Sequence, residues 1–406
     1  MNKFPNIRFN GFLDNWKEKQ LSEIFIIKNN KNKNQYSRED VLSVSDYEGC
    51  VNQIKFHGRS FAGKDISNYK IADIGDIIYT KSPLQSKPYG IVKIVTKEVG
   101  IVSPLYVVNA PTKENDSLFM YYLFDSPERT NKYLEPLVRK GAKNTMNISD
   151  TEWLSGNVVV SETIEEQQKI GLLFKKMDDL INVETSKIDE LSKIKQALLL
   201  KMFPANNEDV PSIRFKDFTD TWEQRKLEEL GKITTGNTPS TSNKEYYCED
   251  GMNWVTPTDI TSNIVLNTTR KLSESGQKIA RIVPPNSILV TCIASIGKNA
   301  LIIEKSAFNQ QINSLTPNKD EHDPYFLLID SNNWSSVMKK MAGGLTFAII
   351  NKTEFSKIDT IIPKSIVEEN KIGSLFKQID SLITLHQRKL DKLKEVKSAL
   401  LDKLLV

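Results

Sequence analysis

Lys169-Ile170-Gly171-Leu172-Leu173-Phe174-Lys175-Lys176-Met177-Asp178 returns 202 positions later as Lys371-Ile372-Gly373-Ser374-Leu375-Phe376-Lys377-Gln378-Ile379-Asp380. Around the first copy, apolar residues fall at Ile170, Leu173, Phe174, Met177, Leu180, Ile181, Ile188, Leu191, Ile194, Leu198 and Met202, and each has an apolar counterpart at the same offset, from Ile372 to Leu404. Steps of three and four sustained this long predict one long amphipathic helix in each half. Both starts, Thr163-Ile164-Glu165-Glu166 and Ser365-Ile366-Val367-Glu368, fit the capping-box pattern Ser/Thr-x-x-Glu. Pro204 ends the first helix. About 38 residues at ~1.5 Å each reach ~57 Å, more than one small core needs, so the stripe calls for a partner. The other helix matches it in length, and an antiparallel coiled coil is expected. Glu184 and His386 interrupt the stripe, and such pairing either brings them together or leaves them solvated.

Working outward, a second repeat opens each half. Ile7-Arg8-Phe9, Phe12, Asp14, Trp16 and Leu21 recur 206 positions on as Ile213-Arg214-Phe215, Phe218, Asp220, Trp222 and Leu227. Thr151, Glu152 and Trp153 match Thr353, Glu354 and Phe355 before the helices begin. The chain is therefore two copies of one module, and 406 residues divide into two halves of ordinary domain size. Between opening and helix the letters diverge, but the texture stays strand-rich. Runs at 76–80, 89–95 and 103–108, and at 287–291, 299–303 and 311–315, are β-branched and bounded by Gly, Pro and Asn. The fold class is mixed α/β, with a shared scaffold and a diverged middle suited to reading something different in each half.

Hydrophobic residues at 39% and charged residues at 26%, with a mean hydropathy of -0.38, describe globular material without a bilayer-length apolar run. Met1-Asn2-Lys3-Phe4-Pro5 lacks a signal-peptide core, and three scattered cysteines, Cys50, Cys248 and Cys292, suit a reducing cytoplasm and read as small core residues. A net charge of +4 permits nucleic acid without arguing for it. His57, His322 and His386 are scattered and no Cys/His pair has zinc spacing, so no metal site is expected. Gly58-Arg59-Ser60-Phe61-Ala62-Gly63-Lys64 follows a P-loop for seven positions and fails at Asp65, where a hydroxyl should meet Mg²⁺. Dinucleotide, nucleophile-elbow and amino-methyltransferase motifs are absent. The sequence points to a chain without an active site.

The duplicated Ile-Arg-Phe-x-x-Phe-x-Asp-x-Trp opening resembles that of the specificity subunits of type I restriction-modification systems. So do Gly236-Asn237-Thr238-Pro239-Ser240, Trp254-Val255-Thr256-Pro257-Thr258-Asp259-Ile260, Asn309-Gln310-Gln311-Ile312 and the Lys-Ile-Gly helix starts. The resemblance implies a non-catalytic reader of double-stranded DNA. It divides the chain into a first target recognition domain at 1–162, a spacer helix at 163–204 and a linker at 205–212. A second recognition domain follows at 213–364, with a second spacer helix at 365–406. Each domain would read half of a bipartite site, with the helices related by a pseudo-twofold and setting the gap. It also implies modification (methyltransferase) and restriction (motor-nuclease) partner subunits. S-adenosylmethionine, ATP and Mg²⁺ would belong to those partners, with no cofactor in this chain and no membrane.

Base edges are read by Asn, Gln, Arg, Ser and Thr, whereas Lys and Arg mostly hold phosphates. On that chemistry the candidates in the first domain are Arg59, Lys64, Lys81, Ser82, Lys87, Tyr89, Arg139, Lys140, Lys143 and Asn144. In the second they are Thr238, Ser240, Lys244, Thr256, Thr258, Asp259, Lys298, Asn299, Gln310, Gln311, Lys339 and Lys340. The alternative for each is ordinary solvated surface. Trp16, Trp222, Tyr246, Tyr247 and Trp254 are read as packing residues. Two other functions stay open: an adaptor joining two protein-binding domains, and a stand-alone DNA-modifying enzyme.

Overall fold

The computed structural model describes residues 5–84, 87–140, 146–205, 208–343 and 349–405. The chain separates into two compact units, Met1–Thr185 with Arg388–Val406, and Ser186–Gln387. Both long helices form, over Ile164–Lys201 and Ile366–Leu404. Each unit therefore contains the start of one long helix and the end of the other.

In the first unit the strands Phe25–Ile27, Val107–Pro111, Ile77–Tyr79 and Val92–Ile94 lie side by side in that order, all antiparallel. Ile77 and Tyr79 face a core built with Trp16, Phe119, Trp153 and Phe174, while Ile78 faces a second cluster with Ala72, Val102 and Val108. This alternation is the two-residue period of a strand covered on both faces. The second unit repeats it. Gly231–Thr235, Ile312–Pro317, Ile288–Thr291, Asn299–Ile302 and Ile264–Val265 form its main sheet in that order. Ile288 and Val290 point to one core and Leu289 to another. The expected strand at 103–108 is displaced, because Tyr106 N closes a turn onto Ser103 O and pairing begins at Val107.

The repeated sequences are the joints between opening segment and helices. Arg8 donates to Glu166 at 2.5 and 2.8 Å, and Arg214 to Glu368 at 2.6 and 2.7 Å. These contacts correct the capping-box expectation. Glu166 and Glu368 spend their carboxylates on a distant arginine, and the helix starts are closed by backbone bonds to Thr163 O and Ser365 O. Each element of the Lys-Ile-Gly triplet also has a packing role. Lys169 lies over the Phe12 ring at 4.8 Å and Lys371 over Phe218 at 4.9 Å. Ile170 and Ile372 are buried in the cores. At Gly171 a Cβ would stand 2.8 Å from Asp116 Oδ1, and at Gly373 2.0 Å from Asp323 Oδ1, so glycine allows the helix to lie against the neighbouring helix cap.

The far helix ends run antiparallel to these starts within each unit. In the first, Ile7 N donates to Lys403 O, and Lys397 Nζ reaches both Asp178 and Asp125 at 2.7 Å. In the second, Ile213 N donates to Lys201 O and Lys195 Nζ reaches Asp380 at 2.5 Å. Tyr122 and Tyr325 donate their hydroxyls to the same two helix carboxylates, Asp178 and Asp380, each at 2.8 Å. Leu401, Leu404 and Leu405 are buried in the first core, Met202 and Phe203 in the second. The stripe is not covered throughout. Leu180 and Ile194, with their counterparts Leu382 and Val396, remain exposed. Glu184 is buried and His386 half-buried, so solvation does not describe the interruption.

Cys50 and Cys292 are core residues, their thiols pushed up by burial to about 12 and about 11. Cys248 departs from the expectation and is exposed, because its two-residue strand lies at the edge of the second unit's outer sheet. Trp16 and Trp222 are buried packing residues, as is Trp254, whereas Tyr246 and Tyr247 are half-buried. Gly58 ends a short helix, Gln53–His57, in the left-handed region, so the Gly58–Lys64 run lacks the strand-to-helix setting of a phosphate loop. No helix among the described residues is long and apolar enough to cross a membrane.

Candidate nucleic-acid interface

The three segments singled out in the second half converge. Gly236 N donates to Ile312 O and Asn237 N to Phe308 O, and a Cβ on Gly236 would fall 2.2 Å from Asn309 O, so this crossing requires glycine. Trp254 Nε1 donates to Asn237 O at 3.2 Å, bringing in the third segment. Thr238 Oγ1 bonds Gln310 Oε1 across the junction. Beside it opens a cleft of about 500 Å³ walled by Thr256–Asp259, Thr269–Arg270, the hairpin turn Ile293–Ser295, Asn309 and Gln311. Ala294 in that turn holds φ 62, a left-handed conformation in a side-chain-bearing residue.

Asp259 organises this cleft. Its Oδ2 accepts from Thr256 N and Oγ1 at 2.8 and 2.6 Å, and its Oδ1 accepts from Thr269 N and Oγ1 at 3.0 and 2.9 Å. Burial pushes its carboxyl up, but these donors outweigh burial and hold it below the ordinary range. With both oxygens engaged, Asp259 joins two loops. Thr258 is exposed and pairs with Thr256 at 2.8 Å, and Lys298 reaches over to Pro257 O at 3.3 Å. Gln311 accepts from Asn309 Nδ2 at 3.0 Å.

Other second-half candidates lie apart from the cleft lining. Asn299 donates to Ser331 O and Ser335 Oγ and serves packing. Ser240, Lys244, Lys339 and Lys340 are exposed. Lys244 lines an adjoining cleft of about 740 Å³ with Tyr247, Arg270 and Lys271. Arg270 was not among the sequence candidates. It carries no motif, and a cation in a threonine-rich turn is the only sequence signal.

In the first unit the charged candidates Lys81, Lys87 and Arg139 are paired with carboxylates. Lys81 pairs with Asp150 at 2.7 Å, Lys87 is buried against Asp46 at 2.5 Å, and Arg139 meets Glu152 at 3.2 Å. Tyr89 packs against the core, and Ser82 donates to Thr80 O. Lys140 stands opposite Met146 in a two-stranded antiparallel ribbon, while Lys143 and Asn144 lie outside the described residues. Arg59 and Lys64 are exposed. The Arg59 guanidinium lies 4.9 Å over Phe61, which with Phe56 and His57 makes an exposed aromatic cluster. Gln53 Oε1 steadies that loop by accepting from Phe61 N at 2.6 Å. Among the described residues no group of three or more His, Cys, Asp or Glu side chains is arranged to hold a metal.

Residues 219–395 match the type I restriction modification DNA specificity domain. The HindI specificity subunit of Haemophilus influenzae is 33% identical over 192 residues, which make up 45% of this chain and about two fifths (41%) of that protein. The putative MjaX specificity subunit of Methanocaldococcus jannaschii is 23% identical over 97% of this chain and 93% of its own length. The crystal structure of the type I restriction-modification S subunit from M. genitalium superposes with a TM-score of 0.66 at 14% identity, covering 99% of both chains.

Proposed function

We propose that this chain, whose residues 219–395 belong to the type I restriction modification DNA specificity family and whose whole length has the S-subunit fold, is the non-catalytic DNA reader of a restriction-modification complex. Each unit reads one half of a bipartite duplex site. The observation that carries this reading is the contrast inside the repeat. The Arg–Glu pair, Lys–aromatic contact, crossing glycine and Lys–Asp–Tyr contact recur in both units, while the candidate reading groups differ: Asp259 joins Thr256 to Thr269 in the second unit, whereas Lys81 pairs with Asp150 and Lys87 with Asp46 in the first. A common scaffold presenting two different surfaces suits a pair of different half-sites better than one catalytic centre.

In this reading modification (methyltransferase) and restriction (motor-nuclease) subunits, in the cytoplasm, bring S-adenosylmethionine, ATP and Mg²⁺, and this chain supplies the address. The test is long-read mapping of methylated adenines in a methylation-free host co-expressing the chain with its modification subunit, against a host lacking the chain. A new bipartite motif of fixed gap is expected. Methylation unchanged by the chain, with both proteins soluble, would overturn the proposal.

A further inference from the structure

Among the described residues that line the second unit's cleft, the one cation is Arg270, and its surroundings differ from those of a phosphate-holding surface lysine. Its backbone is fixed on both sides. Thr269 is tied through N and Oγ1 to Asp259, and Arg270 O accepts from Thr268 Oγ1 at 2.6 Å and Trp254 N at 3.3 Å. Its guanidinium lies 6.0 Å from the Tyr247 ring centre and, among the described residues, makes no ion pair. The carboxylate that lines this cleft, Asp259, accepts from four donors. Arg270 also borders both clefts. The neighbouring one carries Lys244 and Lys271 with a single carboxylate, Glu249, and the Asp259 side offers threonine, serine and glutamine groups.

From this geometry we propose that Arg270 is the base-reading side chain of the second unit, directed at the paired O6 and N7 acceptors of a guanine, with Asp259 as its positioning residue and Lys244 and Lys271 on the phosphates. The proposal rests on the DNA-reading function above. A guanidinium fork matches those two acceptors in the major groove, and such recognition requires a fixed backbone and an uncommitted donor set. Lysines on mobile stems suit phosphates, which carry no sequence information.

The experiment is selection of randomised duplex DNA by the full-length chain, sequenced and followed by binding titrations at several salt concentrations. The wild-type chain should select a bipartite motif with guanine at a column of one half-site. R270A and R270K should each lose that guanine preference by roughly 10- to 100-fold while the other half-site is unchanged. R270K keeps the charge, so it preserves the test if R270A folds poorly. D259N should weaken the same column and no other. K244A and K271A should lower affinity for all sequences and flatten the salt dependence by about one phosphate each. Arg270 variants that keep the motif but bind all sequences less tightly would make Arg270 a phosphate contact and overturn the proposal. A wild-type chain that selects no motif would overturn the DNA-reading function itself.

Discussion

Replacing Lys397 by methionine tests whether the end of the second long helix is held to the first unit by charge as well as by leucines. Lys397 Nζ stands 2.7 Å from Asp125 Oδ2 and 2.7 Å from Asp178 Oδ1, with side-chain exposures of 15, 14 and 31%. At an effective dielectric near 20 each contact is worth ~6 kcal/mol before desolvation, and desolvation offsets most of that. After the substitution Asp178 keeps the Tyr122 hydroxyl, and Asp125 keeps the Tyr121 hydroxyl at 3.1 Å and Lys93 at 3.8 Å. Methionine preserves the apolar stem. The expected loss is therefore at the low end for a broken buried pair, about 3 kcal/mol.

The pH dependence follows from Asp125. Burial pushes its carboxyl up, but Lys397 and Lys93 more than reverse this and hold it below the usual carboxylate value. A depressed carboxyl contributes stability that is present above its unfolded value of about 4 and lost as pH falls through the folded one. Without Lys397 burial prevails, so the deficit should be largest near neutrality and shrink in acid. Hydrogen exchange across 388–405 reads the loss locally, which matters because two units sharing two helices need not unfold in one step. Adding D125N should recover part of the loss by removing the stranded carboxylate. A deficit under about 0.5 kcal/mol, the range of an exposed pair, or one indifferent to pH and to D125N, would refute the lock and leave the leucines as the anchor.

Further substitutions probe other joints. R214A should cost about 3–5 kcal/mol and R8A less, because Glu166 keeps Ser161 Oγ at 2.5 Å and Trp16 Nε1 at 3.1 Å, whereas Pro363 replaces that serine beside Glu368. Urea unfolding should show that order. G373A should destabilise by about 1–3 kcal/mol through overpacking against Asp323, with G171A milder; equal melting temperatures for the two would contradict it. Asp330 is fully buried, accepts from Trp334, Thr360 and Asn333, and has its carboxyl pushed up by burial. The folded state thus binds its proton more tightly and wild-type stability falls as pH rises through the raised value. D330N, whose amide exposed Asn333 can turn to accept, should match or exceed wild type by about 1 kcal/mol at pH 7 and lose the advantage in acid, as read by unfolding at both pH values. Inserting four residues in each long helix adds ~6 Å and should widen the gap of the selected motif; an unchanged gap would dismiss the helices as its ruler.

Sequence patterns recorded in neighbouring residues were legible, and those dependent on distant partners were not. The sequence by itself determined the two long helices, the duplication and most strands, since helical spacing and strand alternation follow from backbone geometry within a few residues. Ile170, Phe174 and Met177 are buried as their spacing requires, and so are Ile372, Phe376 and Ile379 in the second copy. Which polar groups remain free for a ligand was decided by tertiary structure. Lys81 and Lys87 look like phosphate contacts in isolation, yet Asp150, 69 positions away, and Asp46, 41 positions away, neutralise them. Glu166 has the spacing of a cap, but Arg8, 158 residues distant, takes its carboxylate. Arg270 stands out only once folding saturates Asp259 beside it. Local sterics write a helix into its own sequence, whereas the availability of a charge depends on which partner the completed fold places within hydrogen-bond reach.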